Sequence, residues 1–215
     1  MPDELTWRGG ARYSSLVIDQ QSDTRERLVA TARELFWAHG YHATGISRIL
    51  AEAGAGSGSL YHFFRSKEAL LLAVLDHYLE LLDPVIVEPA FSRTRDPLAR
   101  IGALLDVYRE ALLATGFVGG CPIGNLALEV SDLGPEVREG LQRNFRAWCA
   151  RVEACLAAAL PSQPADVHAT LATFVLTVME GAVMQARASR SIAPFDASVR
   201  HLRAYLDHLT AEATE

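Results

Sequence analysis

The sequence predicts an all-α protein of about nine helices. Apolar residues recur three and four positions apart along most of the chain, which is the spacing that buries one face of an α-helix. Asp, Ser or Thr precedes several of these runs and Gly follows them, as expected at helix starts and ends. Because no stretch shows the sustained alternation of a β-strand, a helical fold is the expectation.

The composition indicates a folded chain without a membrane segment or secretion signal. Of 215 residues, 50% are hydrophobic and 21% are charged, so the chain can bury a core. No uninterrupted apolar run reaches the roughly 18 residues needed to span a bilayer, and the N-terminus lacks an apolar signal core. Three cysteines do not make a disulfide framework. We therefore expect a cytoplasmic protein.

The net charge of −6 does not exclude a nucleic-acid partner, because the acidic residues are unevenly distributed. Residues 23–68 contain six Lys or Arg and five Asp or Glu, together with three His. Residues 69–215 contain twelve basic and eighteen acidic residues. Since only a local surface has to meet phosphates, residues 23–68 remain a candidate DNA-binding region.

The first helix is predicted to run from an N-cap at Asp23 to Gly40. Glu26 lies three residues after Asp23 and completes a capping box, and Gly40 suits the position just after a helix end. Residues 1–22 show no periodicity, so we expect a flexible tail there.

Two short helices follow the first one. Thr44 can cap the second helix, which ends at Gly54, and the third is expected over about Ser57–Phe63. Three short helices with Gly at both turns match a helix-turn-helix supported by the first helix. The sequence thus predicts a DNA-binding domain over residues 23–68 and a helical ligand-binding and dimerisation domain over residues 69–215.

The start of the third helix has almost no side chains. Gly56, Ser57, Gly58 and Ser59 leave the backbone amides and the positive helix end free to approach a phosphate. No acidic residue lies between Ala53 and Lys67 to neutralise that end. Lys67, at the start of the next helix, opposes the helix dipole there, so either a phosphate contact or packing of its stem on Phe64 is expected.

The aromatic residues of the third helix divide by face. Leu60 and Phe64 lie four apart and are expected to pack onto the first two helices. Tyr61 can offer its hydroxyl to a phosphate, and His62 can reach a phosphate or a base edge. Phe63 is expected in packing contacts, with a thymine methyl as the alternative partner.

The run from Arg25 to Leu75 resembles the N-terminal domain of the TetR family of one-component repressors. The signatures F-x-x-x-G-Y-x-x-T and G-S-L-Y-x-x-F-x-S-K-E-x-L carry the resemblance, which covers roughly residues 23–75. It implies an all-helical homodimer bound to a near-palindromic double-stranded DNA operator. The resemblance also implies which residues contact DNA: Thr44, Ser59, Tyr61 and Lys67 on the backbone, and Arg48, Ser57 and His62 nearest the bases.

One position departs from the family pattern. Such regulators usually have Ser-Lys or Ser-Arg where this chain has Gly56-Ser57, so one basic contact per half-site is missing. The departure bears on base preference and on affinity.

Further helices complete the chain. Ser66 caps a long fourth helix, which is expected to weaken at Asp83-Pro84 and to end before Pro89. The last two helices are apolar enough to form a four-helix dimer bundle from two subunits. The residues expected to build it are Val167, Leu171, Phe174, Val178, Met179, Val199, Leu202, Leu206 and Leu209.

Cys121 is the most distinctive residue of the C-terminal part. It falls at a helix N-cap, before Pro122 at the first helical position, and this location favours the thiolate. The passage resembles a TetR subgroup with G-C-x-x-x-N-L at this helix, some of whose members respond to reactive or unsaturated small molecules. A buried structural thiol is the alternative reading. Cys149 and Cys155, six apart on one helix, cannot pair and are expected in the core.

A pocket for a small-molecule inducer is expected between the middle helices. The spacing of ligand residues that metal sites require is missing, so neither a metal nor a cofactor is predicted. A thiol-dependent enzyme using Cys121 and a small-molecule carrier with an inactive helix-turn-helix are the alternatives to a regulator. The candidate pocket residues are Tyr108, Phe117, Cys121, Asn125, Phe145, Trp148, Glu180, Met184 and Gln185.

Overall fold

The computed structural model describes residues 24–212, and the regular structure in that range is entirely helical. A π-helical segment, Leu82–Val87, joins α4 to α5, so the ten α-helical segments form nine separate helices in the described range. The predicted all-α class is confirmed. Asp23 and the tail at residues 1–22 lie outside the described range. The segments are α1 Thr24–His39, α2 Ile46–Glu52, α3 Ser57–Phe63, α4 Lys67–Leu81, α5 Glu88–Phe91, α6 Pro97–Ala114, α7 Pro122–Val130, α8 Pro135–Ala159, α9 Ala165–Ser189 and α10 Ala193–Glu212.

The fourth helix loses its α-helical bonding at Leu82, beside Asp83-Pro84, where it was expected to weaken, but helical structure does not stop before Pro89 as predicted. Helical structure continues through Pro84 to Phe91 because the chain changes to π-helical bonding over Leu82–Val87. Proline lacks an N–H and its ring collides with the carbonyl four residues earlier in an α-helix, whereas the wider π-turn uses bonds five residues apart. Pro89 lies in the first turn of α5, where a missing N–H costs nothing.

The helix-turn-helix belongs to one compact unit, here called the N-terminal unit, which comprises residues 24–81 and 122–144 of the described range. Leu28, Phe36, Ile49 and Leu60 are buried at its centre. The unit also contains α7 and the beginning of α8. By packing, α4 therefore groups with the helix-turn-helix, and the functional boundary at residue 68 remains a prediction.

A buried amide connects two helices of the N-terminal unit. Asn144 of α8 donates hydrogen bonds to the carbonyls of Leu75 and Gly140, each at 3.0 Å. A Cβ at Gly140 would lie 2.9 Å from Leu75 Cδ1, so glycine at this position lets α8 approach α4 without displacing the Leu75 side chain. Because both amide protons find carbonyl acceptors, Asn144 can be buried without an unsatisfied donor.

The C-terminal unit comprises residues 82–121 and 145–212 of the described range. Its core contains Leu104, Trp148, Leu156, Met179 and Phe195, contributed by α6, α8, α9 and α10. Ion pairs between α6 and α10 lie at its surface, with Arg109 Nε 2.7 Å from Asp196 Oδ1 and Arg203 Nη2 2.8 Å from Asp106 Oδ1. Since both pairs are solvent-exposed, packing of the apolar core supplies most of the stability.

Helix α9 is long and apolar enough to cross a membrane by length and composition alone, although it contains no uninterrupted apolar run of that length. Such helices also occur in the cores of water-soluble proteins. Here one face of α9 packs in the core, through Ala172, Val175, Met179 and Val183, while another face is exposed.

The residues predicted to form the dimer bundle are mostly core residues of a single chain, and this part of the prediction is wrong. Leu171, Met179, Val199, Leu202 and Leu206 are buried within the C-terminal unit. Val167, Val178 and Leu209 are partly buried against the same core. Of the predicted set, Phe174 alone is exposed, at 45%. Sequence periodicity cannot separate the two apolar faces of a helix that is apolar nearly all round.

Candidate functional site

The turn between α1 and α2 is fixed by Thr44. Its side chain is completely buried, and its hydroxyl donates to the carbonyls of Gly40, at 2.7 Å, and Leu35, at 3.3 Å. Gly45, and not Thr44, is the N-cap of α2. The predicted cap and the predicted contact of the Thr44 side chain with DNA are therefore both wrong, because the hydroxyl stabilises the turn and is shielded from solvent.

Helix α3 has one buried and one exposed face, as predicted. Leu60 and Phe64 are buried, at 0% and 4% exposure, and anchor the helix. Ser57, Gly58, Tyr61 and His62 are exposed, Tyr61 by 62%, and Ser59 and Phe63 are partly buried. The first turn of α3 contains no acidic residue, and a Cβ at Gly58 would meet no atom within 4 Å. This helix start can therefore approach a phosphate without obstruction.

Arg48 lies on α2 with its side chain half exposed. Its Nε lies 2.8 Å from Glu52 Oε1 and its Nη2 lies 2.9 Å from His39 Nε2. An exposed ion pair between residues four apart on a helix contributes only about 0.3–0.5 kcal/mol. Because such a pair is easily exchanged, the predicted base contact of Arg48 stays a prediction.

Lys67 has an acceptor within the protein. Its Nζ donates to the carbonyl of Tyr41 at 2.5 Å and lies 4.0 Å from the Tyr41 ring centroid, so Tyr41 takes the place that Phe64 was expected to have. Burial lowers the pKa of Lys67, and the carboxylate of Glu129 raises it. The predicted phosphate contact stays a prediction. Ser66 caps α4 as expected, accepting from the Ala69 amide at 3.1 Å.

Cys121 is buried, with 6% exposure, and lies directly before the first residue of α7, as predicted. Its thiol forms a hydrogen bond with the carboxyl group of Glu180 on α9. Burial raises the pKa of Glu180, and the hydrogen bond from Cys121 lowers it. The candidate thiol therefore has a titratable neighbour that can accept its proton.

The loop that leads to Cys121 is pressed against α9. A Cβ at Gly120 would lie 2.8 Å from Arg187 Cδ and 3.2 Å from Val183 Cγ1. Phe117 has a φ of 63°, a left-handed conformation that costs a bulky residue about 1–2 kcal/mol. Arg190 Nη1 donates to the Gly116 carbonyl at 3.0 Å and holds the loop from the end of α9. Backbone strain of this kind clusters at functional sites, so the loop before Cys121 is a candidate for one.

Two buried polar atoms in the described range have no hydrogen-bond partner, and both belong to predicted pocket residues of the C-terminal unit. They are Nε1 of Trp148, whose side chain is 4% exposed, and Oε1 of Glu180. The Trp148 ring meets the ring of Tyr108 edge to face, with centroids 6.5 Å apart. Because buried polar groups are normally paired, these two atoms are candidates for hydrogen bonds to a ligand.

The other predicted pocket residues divide by location. Phe145 is partly buried in the C-terminal unit, and Asn125 is partly buried on α7 of the N-terminal unit. Met184 and Gln185 are exposed, Met184 by 58%, so their predicted role as pocket lining is wrong. Sequence reasoning missed Val183 and Arg187, which face Gly120 from the same helix, because only the fold brings them to the loop.

The remaining cysteines pack as expected for core thiols. Cys149 Sγ lies 3.8 Å from the Ala172 carbonyl, and burial raises the pKa of both Cys149 and Cys155. All three cysteines are free thiols. Residues 24–212 contain no group of three or more His, Cys, Asp or Glu that could hold a metal ion.

Comparisons with known proteins find a matching family model for each of two parts of the chain. Residues 28–74 match the model for bacterial regulatory proteins of the tetR family, and residues 97–201 match that for the C-terminal domain of LmrA/YxaF-like transcriptional regulators. An uncharacterized HTH-type transcriptional regulator of Mycobacterium tuberculosis is 33% identical over 186 residues, 83% of this chain and 92% of the relative.

The HTH-type transcriptional repressor NemR of Escherichia coli is 30% identical over 193 residues, 85% of this chain and 94% of NemR. The crystal structure of reduced E. coli NemR superposes with a TM-score of 0.69 at 29% identity, covering 84% of this chain and 95% of that one. The enzyme alternative is therefore dropped. An exposed helix-turn-helix and two matching family models lead to one conclusion: the chain belongs to the TetR family of bacterial transcriptional regulators.

Proposed function

We propose that this chain is a ligand-responsive repressor that binds a near-palindromic DNA operator as a homodimer in the cytoplasm and is released by a small molecule. The observation that carries the proposal is the exposed, acid-free start of α3, anchored by Leu60 and Phe64. In a dimer, two such helices enter the major groove about 34–36 Å apart, one turn of duplex.

The contacts with DNA follow from the exposed face of α3. The amides of Ser57, Gly58 and Ser59 approach a phosphate at the positive end of the helix. Tyr61 offers its hydroxyl to the backbone, and His62 reaches a base edge or a phosphate. Since phosphate contacts outnumber base contacts here, we expect modest base discrimination per half-site and a strong dependence of affinity on salt.

The homodimer forms through the exposed faces of α9 and α10. Phe174 and Tyr205 stack edge to face, with centroids 5.9 Å apart, and both are exposed in the single chain. Gly181 and Met184 continue the Phe174 face of α9, and a Cβ at Gly181 would meet no atom within 4 Å. Burying this face against a second copy removes its apolar surface from water and lets two helices approach at Gly181.

The effector acts at Cys121, and an electrophile with an activated carbon–carbon double bond fits the chemistry there. Addition of the thiol forms one sulfur–carbon bond, and the thiol proton ends on the neighbouring carbon. Glu180, hydrogen-bonded to the thiol, is placed to accept that proton in its ionised form and to return it. The adduct removes the thiol–carboxyl hydrogen bond and adds volume beside the strained loop at Phe117.

Release from DNA is a shift between two conformations. The modified or ligand-bound dimer favours a form in which the two α3 helices have a different separation, and operator affinity falls by the difference in binding free energy between the forms. The helical connection from Asp76 through Leu82 joins the two parts of the chain and is one expected route.

DNA selection followed by a quantitative gel shift tests the repressor proposal. We expect a near-palindromic sequence to be selected, with an affinity that falls linearly on a log–log plot against salt concentration. Selection of no sequence, together with a flat salt dependence, would favour the carrier alternative.

Cys121→Ser tests the effector site. The variant is expected to bind the operator as the unmodified protein does, and to lose the reduction in affinity that N-ethylmaleimide causes. Cys149→Ser and Cys155→Ser are matched controls that keep the response. An unchanged response in Cys121→Ser would return this thiol to a structural role.

A further inference from the structure

A carboxylate of α7 touches the turn that leads into the helix-turn-helix. Glu129 Oε2 accepts from the backbone amide of His42 at 3.2 Å, and the carbonyl of Glu129 accepts from His42 Nε2 at 3.0 Å. Gly40 begins this turn with a φ of +86°. A Cβ at Gly40 would lie 2.6 Å from Glu129 Oε1, so the carboxylate occupies the space that any other side chain would fill.

A basic side chain, Lys67, holds the same turn from a different helix. The Lys67 ammonium of α4 donates to the carbonyl of Tyr41, the residue between Gly40 and His42, and lies over its ring. The three turn residues are thus held by an acid from α7 and a base from α4. The negative charge of Glu129 attracts the ammonium and so raises the pKa of Lys67, against the larger effect of burial.

The position of this turn decides where the DNA-reading helices lie. The chain runs from His42 through buried Thr44 to the start of α2 at Ile46, and α3 follows after one further turn. A turn held at its amide, its carbonyl and its aromatic ring has little freedom to move alone. Displacing Glu129 would therefore alter the positions of α2 and α3 before it unfolded either one.

Helix α7 connects this contact to the Cys121 end of the same helix. The helix has nine residues, begins directly after Cys121 and reaches Val130, one residue after Glu129, so it spans about 13 Å. Backbone hydrogen bonds four residues apart make so short a helix stiff along its axis. A shift at its first residue is therefore expected to reach the turn at its last.

We propose that Glu129 is a positioning residue, which sets the pose of the helix-turn-helix and passes changes at the Cys121 end of α7 to operator affinity. The positioning needs only that the chain binds an operator, whereas the coupling rests on the proposed role of Cys121. Glu129 lies on α7 and not on the exposed face of α3, so the proposal gives it no contact with DNA.

The first experiment compares operator affinity among full-length variants at fixed salt. Glu129→Ala removes the acceptor and the charge, and we expect about a tenfold loss of operator affinity with little change in affinity for non-operator DNA. Glu129→Gln keeps an acceptor for the His42 amide and is expected to restore part of the loss. Glu136→Gln changes the charge equally at an exposed site of the same unit and is expected to stay within twofold.

Melting temperatures separate positioning from loss of fold. All affinities are measured well below the lowest melting temperature, so that every variant is folded. Positioning is overturned if Glu129→Ala binds the operator as Glu136→Gln does, or if operator and non-operator affinities fall together. Should Glu129→Ala not fold, Glu129→Gln against Glu136→Gln decides the same question.

The second experiment measures coupling, with N-ethylmaleimide as the probe and Cys149→Ser and Cys155→Ser as the background. The measured quantity is the ratio of operator dissociation constants with and without alkylation of Cys121. We expect a ratio well above one in the parent and a markedly smaller ratio with Glu129→Ala. An equal ratio in Glu129→Ala overturns the coupling. A ratio of one in the parent overturns the proposed effector role of Cys121 and the coupling with it, and leaves positioning to be decided by the first experiment.

Discussion

The start of α3 and the surroundings of Cys121 are opposite kinds of site. Around Gly58 the side chains are small and exposed, and the backbone itself provides the binding groups. Around Cys121 the thiol is buried, hydrogen-bonded to Glu180 and reached by a strained loop that α9 holds in place. The first region is open to a large charged surface, whereas a small molecule would have to enter the protein to reach the second.

Because of this difference, substitutions at the two sites should have different effects on binding and on stability. At an exposed helix start a new side chain alters binding without disturbing the fold, because nothing surrounds it. At a buried titratable group a substitution changes the stability of the chain as well as binding. The group contacts the surrounding protein whether or not a ligand is bound. Variants at the two sites should therefore separate binding from stability in different ways.

Gly58→Glu is expected to have the largest effect. The new carboxylate would lie at the start of α3, where a phosphate is expected, and like charges in contact cost several kcal/mol. We expect operator affinity to fall about 100-fold or more, with an unchanged melting temperature, because a Cβ at this position meets no atom. Gly58→Gln, of similar size and without the charge, is the control in the gel shift. Equal losses for the two variants would show that size, and not phosphate contact, matters here.

Phe174→Asp is expected to have the next largest effect, on assembly. A charge on the exposed face of α9 would have to be buried between two copies. The dissociation constant of the dimer should therefore increase by about tenfold or more. Sedimentation velocity over a range of concentrations measures this equilibrium. Ala157→Asp adds the same charge to an exposed residue of α8 and should leave the dimer intact. A dimer equally stable in both variants would contradict the proposed interface.

Glu180→Gln is expected to have the smallest effect, and it concerns pH. Burial raises the pKa of Glu180, so the folded chain keeps a proton that the unfolded chain has released above about pH 4.5. Stability contributed by this group is therefore present at low pH and is lost as pH rises towards the raised pKa. Gln does not titrate, so the variant should gain on the parent as pH rises from about 4.5 towards the raised pKa, by on the order of 2–4 °C in melting temperature. Parallel melting curves against pH would refute a raised pKa, and Glu136→Gln controls for the lost charge.

The geometry of α3 could be predicted from sequence because it is local. The limits of α3 and the burial of Leu60 and Phe64 follow from spacing within one short segment, and the structure agrees. Thr44 was misread because a hydroxyl before a helix suits a cap and a turn equally well. Its true acceptors, the carbonyls of Leu35 and Gly40, belong to the preceding helix and its end.

The surroundings of Cys121 were less predictable because they join segments far apart in the chain. Glu180 was a candidate from its polarity alone, but its bond to Cys121 depends on the packing of α9 against the loop. Met184 and Gln185 were misassigned because α9 has two apolar faces, and spacing alone does not tell which faces inward. The contact between Glu129 and His42 joins residues 87 positions apart, and nothing in either local sequence indicates it.

Hydroxyl-radical footprinting of the selected operator tests most directly whether the bare start of α3 meets the DNA backbone twice per dimer. We predict two protected backbone patches, related by symmetry and centred about 10 base pairs or a multiple apart, which both disappear with Gly58→Glu and persist with Gly58→Gln. A single protected patch, or protection that survives Gly58→Glu, would contradict the account.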